Sequence, residues 1–151
     1  MSSYNIKIWC HYMQLVYLGD QDALLQLARL TFYGINNVKQ NLNLSFKFIK
    51  MAADVGNIDA INIIGYMYIK GIGTEVNKDK GLYYLLQAAN NGHSDAQYSL
   101  SCYFDFIENN YLCEEYLKQS IKNGNAKAKI KMMESELKTL NLNRKRKKQI
   151  H

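Results

Sequence analysis

Proline is absent from the 151-residue chain, and glycine, cysteine and histidine number only 9, 3 and 3. Because proline is the strongest breaker of helices, only glycine and asparagine remain to interrupt them here. No uninterrupted apolar run approaches about 18 residues, so we expect no transmembrane helix. These absences favour a single domain that is entirely helical.

The N-terminus also lacks the features of a secretory signal peptide. Lys7, His11 and Gln14 interrupt its apolar residues, and no small-residue cleavage site follows. The 3 cysteines form no C-x-x-C pair and cannot all be bridged within the chain. We therefore expect an intracellular protein in a reducing compartment, the cytoplasm first.

Positive charge is concentrated near the C-terminus. The net charge is +6, but five adjacent residues supply five positive charges, and the rest of the chain carries about +1. Such a run could be a nuclear import signal, a tether to nucleic acid or anionic lipid, or a disordered solubilising end. We expect residues 141–151 to form a disordered basic tail that contains Arg144, Lys145, Arg146, Lys147 and Lys148.

A Gly-x-x-x-Ala phrase occurs four times and gives the chain its period. It runs from Gly19 to Ala23 and returns at residues 56–60, 92–96 and 124–128, so that its glycines are 37, 36 and 32 residues apart. This is the period of a repeat that folds as a helical hairpin and stacks on its neighbours.

Capping residues place two helices in each repeat. A polar residue, aspartate or asparagine in three of the four cases, follows each glycine, and an asparagine stands fifteen residues before each of the last three glycines. Side chains of these kinds accept hydrogen bonds from the free N–H groups at a helix start. First helices should begin after Asp20, Asn57, His93 and Asn125, and second helices after Asn41, Asn77 and Asn109.

Residue size indicates how the helices pack. The ninth residue after each of the first three glycines is small, namely Ala28, Gly65 or Ser101, which lets a neighbouring helix approach closely. Each second helix carries a large aromatic ring, which is Phe48, Tyr84 or Tyr116. Two adjacent alanines follow each of the first two of these rings, and a serine and an isoleucine follow the third.

The spacing predicts eight helices in one domain over residues 1–140. A half-repeat at 4–18 precedes repeats at 19–55, 56–91 and 92–123, and a capping helix at 124–140 follows. The third repeat is shorter because little more than Glu108 separates its helices.

The second repeat resembles the Sel1-like repeat, a relative of the tetratricopeptide repeat. The resemblance covers residues 4–140 and implies an all-α fold, a right-handed α/α superhelical solenoid of about eight antiparallel helices. It also implies an adaptor that holds other proteins. The matching residues are Ala60, Ile64, Gly65, Tyr68, Gly71, Gly73, Asn77, Ala88, Ala89 and Gly92.

No arrangement of residues points to catalysis, a metal or a cofactor. The 3 histidines lack metal-ligand spacing, and Gly71-Ile72-Gly73 follows no strand and precedes no Walker lysine. Cys113 stands beside Glu114 and Glu115, an acidic setting that would raise the pKa of its thiol and so weaken it as a nucleophile. We expect a protein that is not an enzyme.

The resemblance also implies that a partner lies on the concave face lined by first helices. Aromatic rings beside fixed polar groups suit a peptide partner, although the same residues would also fit an ordinary solvated face. The matching groove positions are Leu25, Arg29, Phe32, Tyr33, Asn62, Tyr66, Ile69, Lys70, Tyr98, Cys102, Asp105 and Phe106.

Two functions follow from these observations. The first is an adaptor without enzymatic activity that binds a protein or peptide segment in this groove. The alternative is a nucleic-acid-associated protein that is anchored by its basic tail, with repeats that mediate self-association. In either case, the half-repeats at both ends would expose apolar faces on which a homodimer could form.

Overall fold

The computed structural model describes residues 3–36 and 38–149, which are helical with short connections and contain no strand. In chain order, the single helix α1 is followed by three hairpins, α2 with α3, α4 with α5 and α6 with α7, and then by the single helix α8. This is the all-α arrangement that the sequence predicted. The helices are α1 (Ser3–Tyr17), α2 (Gln21–Tyr33), α3 (Leu42–Asp54), α4 (Ile58–Lys70), α5 (Lys78–Asn90), α6 (Ser94–Phe106), α7 (Asn110–Lys122) and α8 (Ala126–Gln149).

The predicted capping residues accept hydrogen bonds at the helix starts. In the first helices, Asp20 Oδ1 accepts from the Asp22 N–H at 2.9 Å, and Asn57 Oδ1 accepts from the Ala60 N–H at 2.9 Å. The other two first helices are capped in the same way by His93 and Asn125. The second helices are capped by Asn41, Asn77 and Asn109, each of which accepts from the N–H three residues later.

The structure separates into two compact units, Met1–Asn91 and Gly92–His151. The first unit contains α1 to α5, and its core includes the fully buried side chains of Leu27, Ile64, Met67 and Leu85. The second unit contains α6 to α8. Its core includes Leu100, Leu117 and Ala128.

Small residues set the distance between the helices of a hairpin, as predicted. A Cβ on Gly65 would lie 3.0 Å from the Gly81 carbonyl oxygen, and one on Gly81 would lie 2.8 Å from the Gly65 oxygen. In the first repeat, Ser45 occupies the position of Gly81, and its hydroxyl donates to the Ala28 oxygen at 2.9 Å. The α4–α5 crossing therefore leaves no room for another side chain.

The predicted ring positions form aromatic pairs. Tyr84 stacks on Tyr68 with ring centroids 5.8 Å apart, and Tyr116 stacks on Phe104 at 5.5 Å. The ring of Phe48 meets Trp9 of α1 edge-on at 5.9 Å. In each pair, a ring of a second helix contacts one from the preceding first helix or from α1.

The last helix differs from the expectation. The capping helix was predicted to end at residue 140 and a disordered tail to follow, but α8 continues to Gln149. Residues 141–149 contain no glycine or proline, and five of the nine are lysine or arginine, which favour helices, so Asn141 and Asn143 do not stop α8. Residues 150–151 of the expected tail lie outside the described part.

Candidate partner-binding surface

The groove positions on α2 present two exposed groups beside two half-buried ones. Arg29 and Tyr33 are exposed, whereas Leu25 and Phe32 are half-buried. The rings of Phe32 and Tyr33 lie 4.8 Å apart, edge to face. This helix therefore offers an aromatic pair and a guanidinium to a ligand.

Arg29 also lines a cavity of about 410 Å³ between α1 and α2. Lys7 and His11 of α1 stand one helical turn apart and line the same cavity, together with Ile8 and Tyr12. The sequence reasoning counted α1 only as a capping half-repeat and missed its contribution. A basic pair at i and i+4 was the signal that could have indicated it.

The groove positions on α4 differ in how far they are exposed. Tyr66 is 49% exposed, and the Lys70 ammonium lies 6.0 Å from the centre of its ring, so the two form an exposed cation–π pair. Asn62 is half-buried. Ile69 instead packs against α5, because its Cγ1 occupies the space into which a Cβ on Gly81 would extend. Ile69 is thus a packing residue.

In the second unit, three of the predicted positions line one groove. Tyr98, Cys102 and Asp105 of α6 face a groove of about 820 Å³ that is also bordered by α7 and α8. Phe106, at the end of the same helix, is 84% exposed. The structure therefore brings together a phenol, a thiol and a carboxylate.

Lys131 of α8 closes one side of this groove. Its ammonium lies 3.0 Å from Asp105 Oδ2 and 3.7 Å from Cys102 Sγ. Burial alone would lower the pKa of Lys131, but the hydrogen bond to Asp105 and the electrostatic influence of Cys102 and Cys113 raise it. Asp105 is therefore already paired within the chain. The sequence reasoning missed Lys131, because the contact joins residues 26 positions apart.

Burial changes the acidity of two other groove residues. It is the largest cause that raises the pKa of the Tyr98 hydroxyl, followed by the hydrogen bond with Cys102. Burial also raises the pKa of the Cys113 thiol, although the charge of Lys131 opposes it. The expected rise in the pKa of Cys113 thus has burial as its first cause, and Glu114 contributes less.

The basic run of α8 is described only in part. Of the basic run, Arg144 has a described side chain, which is exposed on α8; the side chains of Lys145, Arg146, Lys147 and Lys148 lie outside the described set.

Among the described residues, no group of three or more His, Cys, Asp or Glu could hold a metal ion. Within the same part of the chain, no helix is long and apolar enough to cross a membrane.

Comparisons with known proteins agree with the helical repeat. The family model described as Sel1 repeat matches residues 21–57 and 58–93. A sel1-like repeat-containing protein of Acanthamoeba polyphaga mimivirus is 32% identical over 97 residues, which cover 51% of this chain and 18% of that protein. The chain therefore spans less than a fifth of the length of this curated relative.

Two solved structures are similar over most of the chain. A protective antigen of uropathogenic Escherichia coli, described as displaying an SLR fold, matches with a TM-score of 0.70 and 27% identity over 78% of this chain and 26% of its own. A Sel1 repeat protein from Oxalobacter formigenes matches with a TM-score of 0.70 and 25% identity over 83% of this chain and 97% of its own. Both support an α/α solenoid of hairpin repeats.

Proposed function

We propose that this chain, in which the Sel1 repeat model matches residues 21–57 and 58–93, is an adaptor of the Sel1-like repeat type, without enzymatic activity, that binds a segment of another protein on the surface of its first helices. Sel1 repeat proteins generally mediate protein–protein interaction. We place the protein in the cytoplasm, with the nucleus as the alternative if the basic run acts as an import signal.

The observation that carries this proposal is the exposed chemistry of α2 and α4. Arg29, Tyr33, Tyr66 and Lys70 are all exposed, and the last two form a cation–π pair. Aromatic and arginine side chains supply much of the binding energy at protein interfaces because they combine large contact area with fixed donors. We assign the binding surface to these residues, with Leu25, Phe32 and Asn62 beside them.

The groove of the second unit contributes a different chemistry. Tyr98 and Cys102 offer a half-buried phenol and thiol, while the carboxylate of Asp105 forms an ion pair with the ammonium of Lys131. A ligand that contacts this groove would thus meet a phenol and a thiol beside an ion pair, with charged side chains such as Lys127, Glu134 and Lys138 of α8 at the border. We propose that Tyr98 binds the partner, and that Asp105 mainly holds α8 through Lys131.

The test is affinity capture from a reducing cell lysate with two triple variants. Arg29→Ala, Tyr66→Ala and Tyr98→Ala together remove groups of the first helices, and the defined partner captured by the unchanged chain should be lost at least about tenfold. The matched control replaces Lys118, Tyr83 and Tyr111 of the second helices by alanine. Capture should survive in the control, and circular dichroism checks that both variants are folded.

The same experiment addresses the nucleic-acid alternative, which rests on the basic run of α8. A chain that lacks residues 141–151 is compared with the intact chain, with and without nuclease. Retention that depends on nucleic acid and disappears with these residues would favour the alternative, and five contacts would give a log–log salt slope of at most about −4.5. Capture of the partner by both chains would favour the first-helix surface.

A further inference from the structure

Helix α8 carries an apolar stripe that is exposed on the described structure. The stripe consists of Ile130, Met133, Leu137 and Leu140, which are 57%, 60%, 59% and 58% exposed. Their spacing of three, four and three residues is the a/d pattern of a coiled coil, so the four side chains lie on one face of the helix.

Most of this face points away from the body of the second unit, although Ile130 also borders the groove of α6 and α7. Ala128 is fully buried and Asn125 is 7% exposed, and the Asn125 amide donates to Asp95 of α6 at 2.7 Å. At about 100° per residue, the stripe lies roughly opposite Ala128 on the helix. One side of α8 is therefore packed in the unit, and the opposite side presents four large apolar groups to solvent.

We propose that a second copy of this chain covers the stripe, so that two α8 helices pair in parallel. The charges that flank the stripe favour this occupant. With Ile130 as an a position, Lys129 is a g position and Glu134 the following e position, and both are exposed. Parallel pairing brings Lys129 of each copy next to Glu134 of the other, which gives two pairs of opposite charge.

The antiparallel arrangement of the same stripe is opposed by charge. Pairing Ile130 with Leu140 of a reversed copy would place Glu134 against Glu134 and Glu136 against Glu136. Like charges at such positions are destabilising. The surface is thus self-complementary in the parallel direction. This inference does not rest on the first-helix surface, so either proposal can fail without the other.

The first test is the mass of the intact chain in solution, measured by light scattering or sedimentation over a range of concentrations. We expect a dimer of twice the 17.5 kDa chain mass at micromolar concentrations. Leu137→Glu should convert it to monomer, since it places two like charges in the apolar seam. Tyr111→Glu, at a 75% exposed position of α7, is the matched control and should remain dimeric.

The second test is a charge exchange. Lys129→Glu and Glu134→Lys should each raise the dimer dissociation constant about tenfold, because each replaces two attractive pairs by two repulsive ones. The double variant, and an equimolar mixture of the two single variants, should regain the original affinity. Circular dichroism verifies that helix content is unchanged.

Three outcomes would overturn the proposal. A chain that stays monomeric at all concentrations would show that no second copy covers the stripe. A dimer that survives Leu137→Glu would have its interface elsewhere. Single charge variants that do not associate when mixed would rule out the parallel arrangement.

Discussion

At the scale of the residue, two glycines with left-handed backbone conformations allow the effect of backbone strain to be distinguished from that of steric crowding. Gly73 has φ 67° and Gly56 has φ 91°, a region that disfavours any residue with a Cβ. A Cβ on Gly73 would overlap the carbonyl group of Leu42, whereas one on Gly56 would meet nothing within 4 Å. The loop between α4 and α5 is thus pressed against the start of α3.

Alanine at these two positions should have unequal effects. Gly56→Ala should lower the free energy of unfolding by about 1–2 kcal/mol through backbone strain. Gly73→Ala should cost about 1–3 kcal/mol more, because the new methyl group has no space. Urea denaturation measures both. Equal losses would mean that the loop moves away from Leu42 without cost.

The reactivity of Cys113 should follow the charges around it. Its raised pKa leaves less thiolate near pH 8, so alkylation should be slower than at exposed Cys10 and should increase as the pH rises. Lys131→Met removes the charge that lowers this pKa and should slow the reaction further. Asp105→Asn removes a charge that raises it and should accelerate the reaction.

Mass spectrometry of alkylated peptides from the folded protein measures these rates. The two substitutions break the same ion pair, so any opening of the groove is common to both. Rates that change in the same direction would therefore show that access, and not electrostatics, controls Cys113.

At the scale of the element, helix starts depend on local chemistry. Adjacent asparagines precede and begin α7, but only Asn109 caps it, by accepting from the Leu112 N–H at 3.1 Å. Asn109→Ala should lower the free energy of unfolding by about 1 kcal/mol, and Asn110→Ala by less than about 0.5 kcal/mol. Thermal denaturation compares them, and equal losses would contradict a capping role for Asn109.

Because a helix cap depends only on residues close together in the chain, helix starts could be predicted from the sequence. Asn41, Asn77 and Asn109 identify helix starts because the donor and acceptor lie three residues apart. The end of α8 was missed because Asn141 and Asn143 do not stop the helix and no glycine or proline precedes Gln149 within it. The ion pair of Asp105 with Lys131 was missed because helix packing creates it, and no local pattern indicates such a pair.

At the scale of the whole molecule, burial is concentrated in the central helices. Six residues of α4 are buried, whereas no residue of α1 with a described side chain is, and none is in α8 after Ala128 among those described. In repeat proteins each hairpin is stabilised by its neighbours, so helices with few buried contacts open first.

Hydrogen exchange should therefore vary strongly along the chain. Peptides from α4 and α5 should exchange at least about a hundredfold more slowly than those from residues 141–149, with α1 between them. Mass spectrometry of the Leu137→Glu variant makes the comparison without any contribution from α8 pairing. Uniform protection would instead indicate one cooperative unit.

The crossing of the paired helices has a consequence for how such a chain can be rearranged in evolution. The position occupied by Ser45 in α3 holds Gly81 in α5, and a side chain there would collide with the Gly65 oxygen. Recombination that joined α4 to α3 would therefore bring a serine Cβ into this contact, whereas duplication of the whole α4–α5 hairpin would preserve the fit. The hairpin, and not the single helix, is the smallest segment that can be inherited intact.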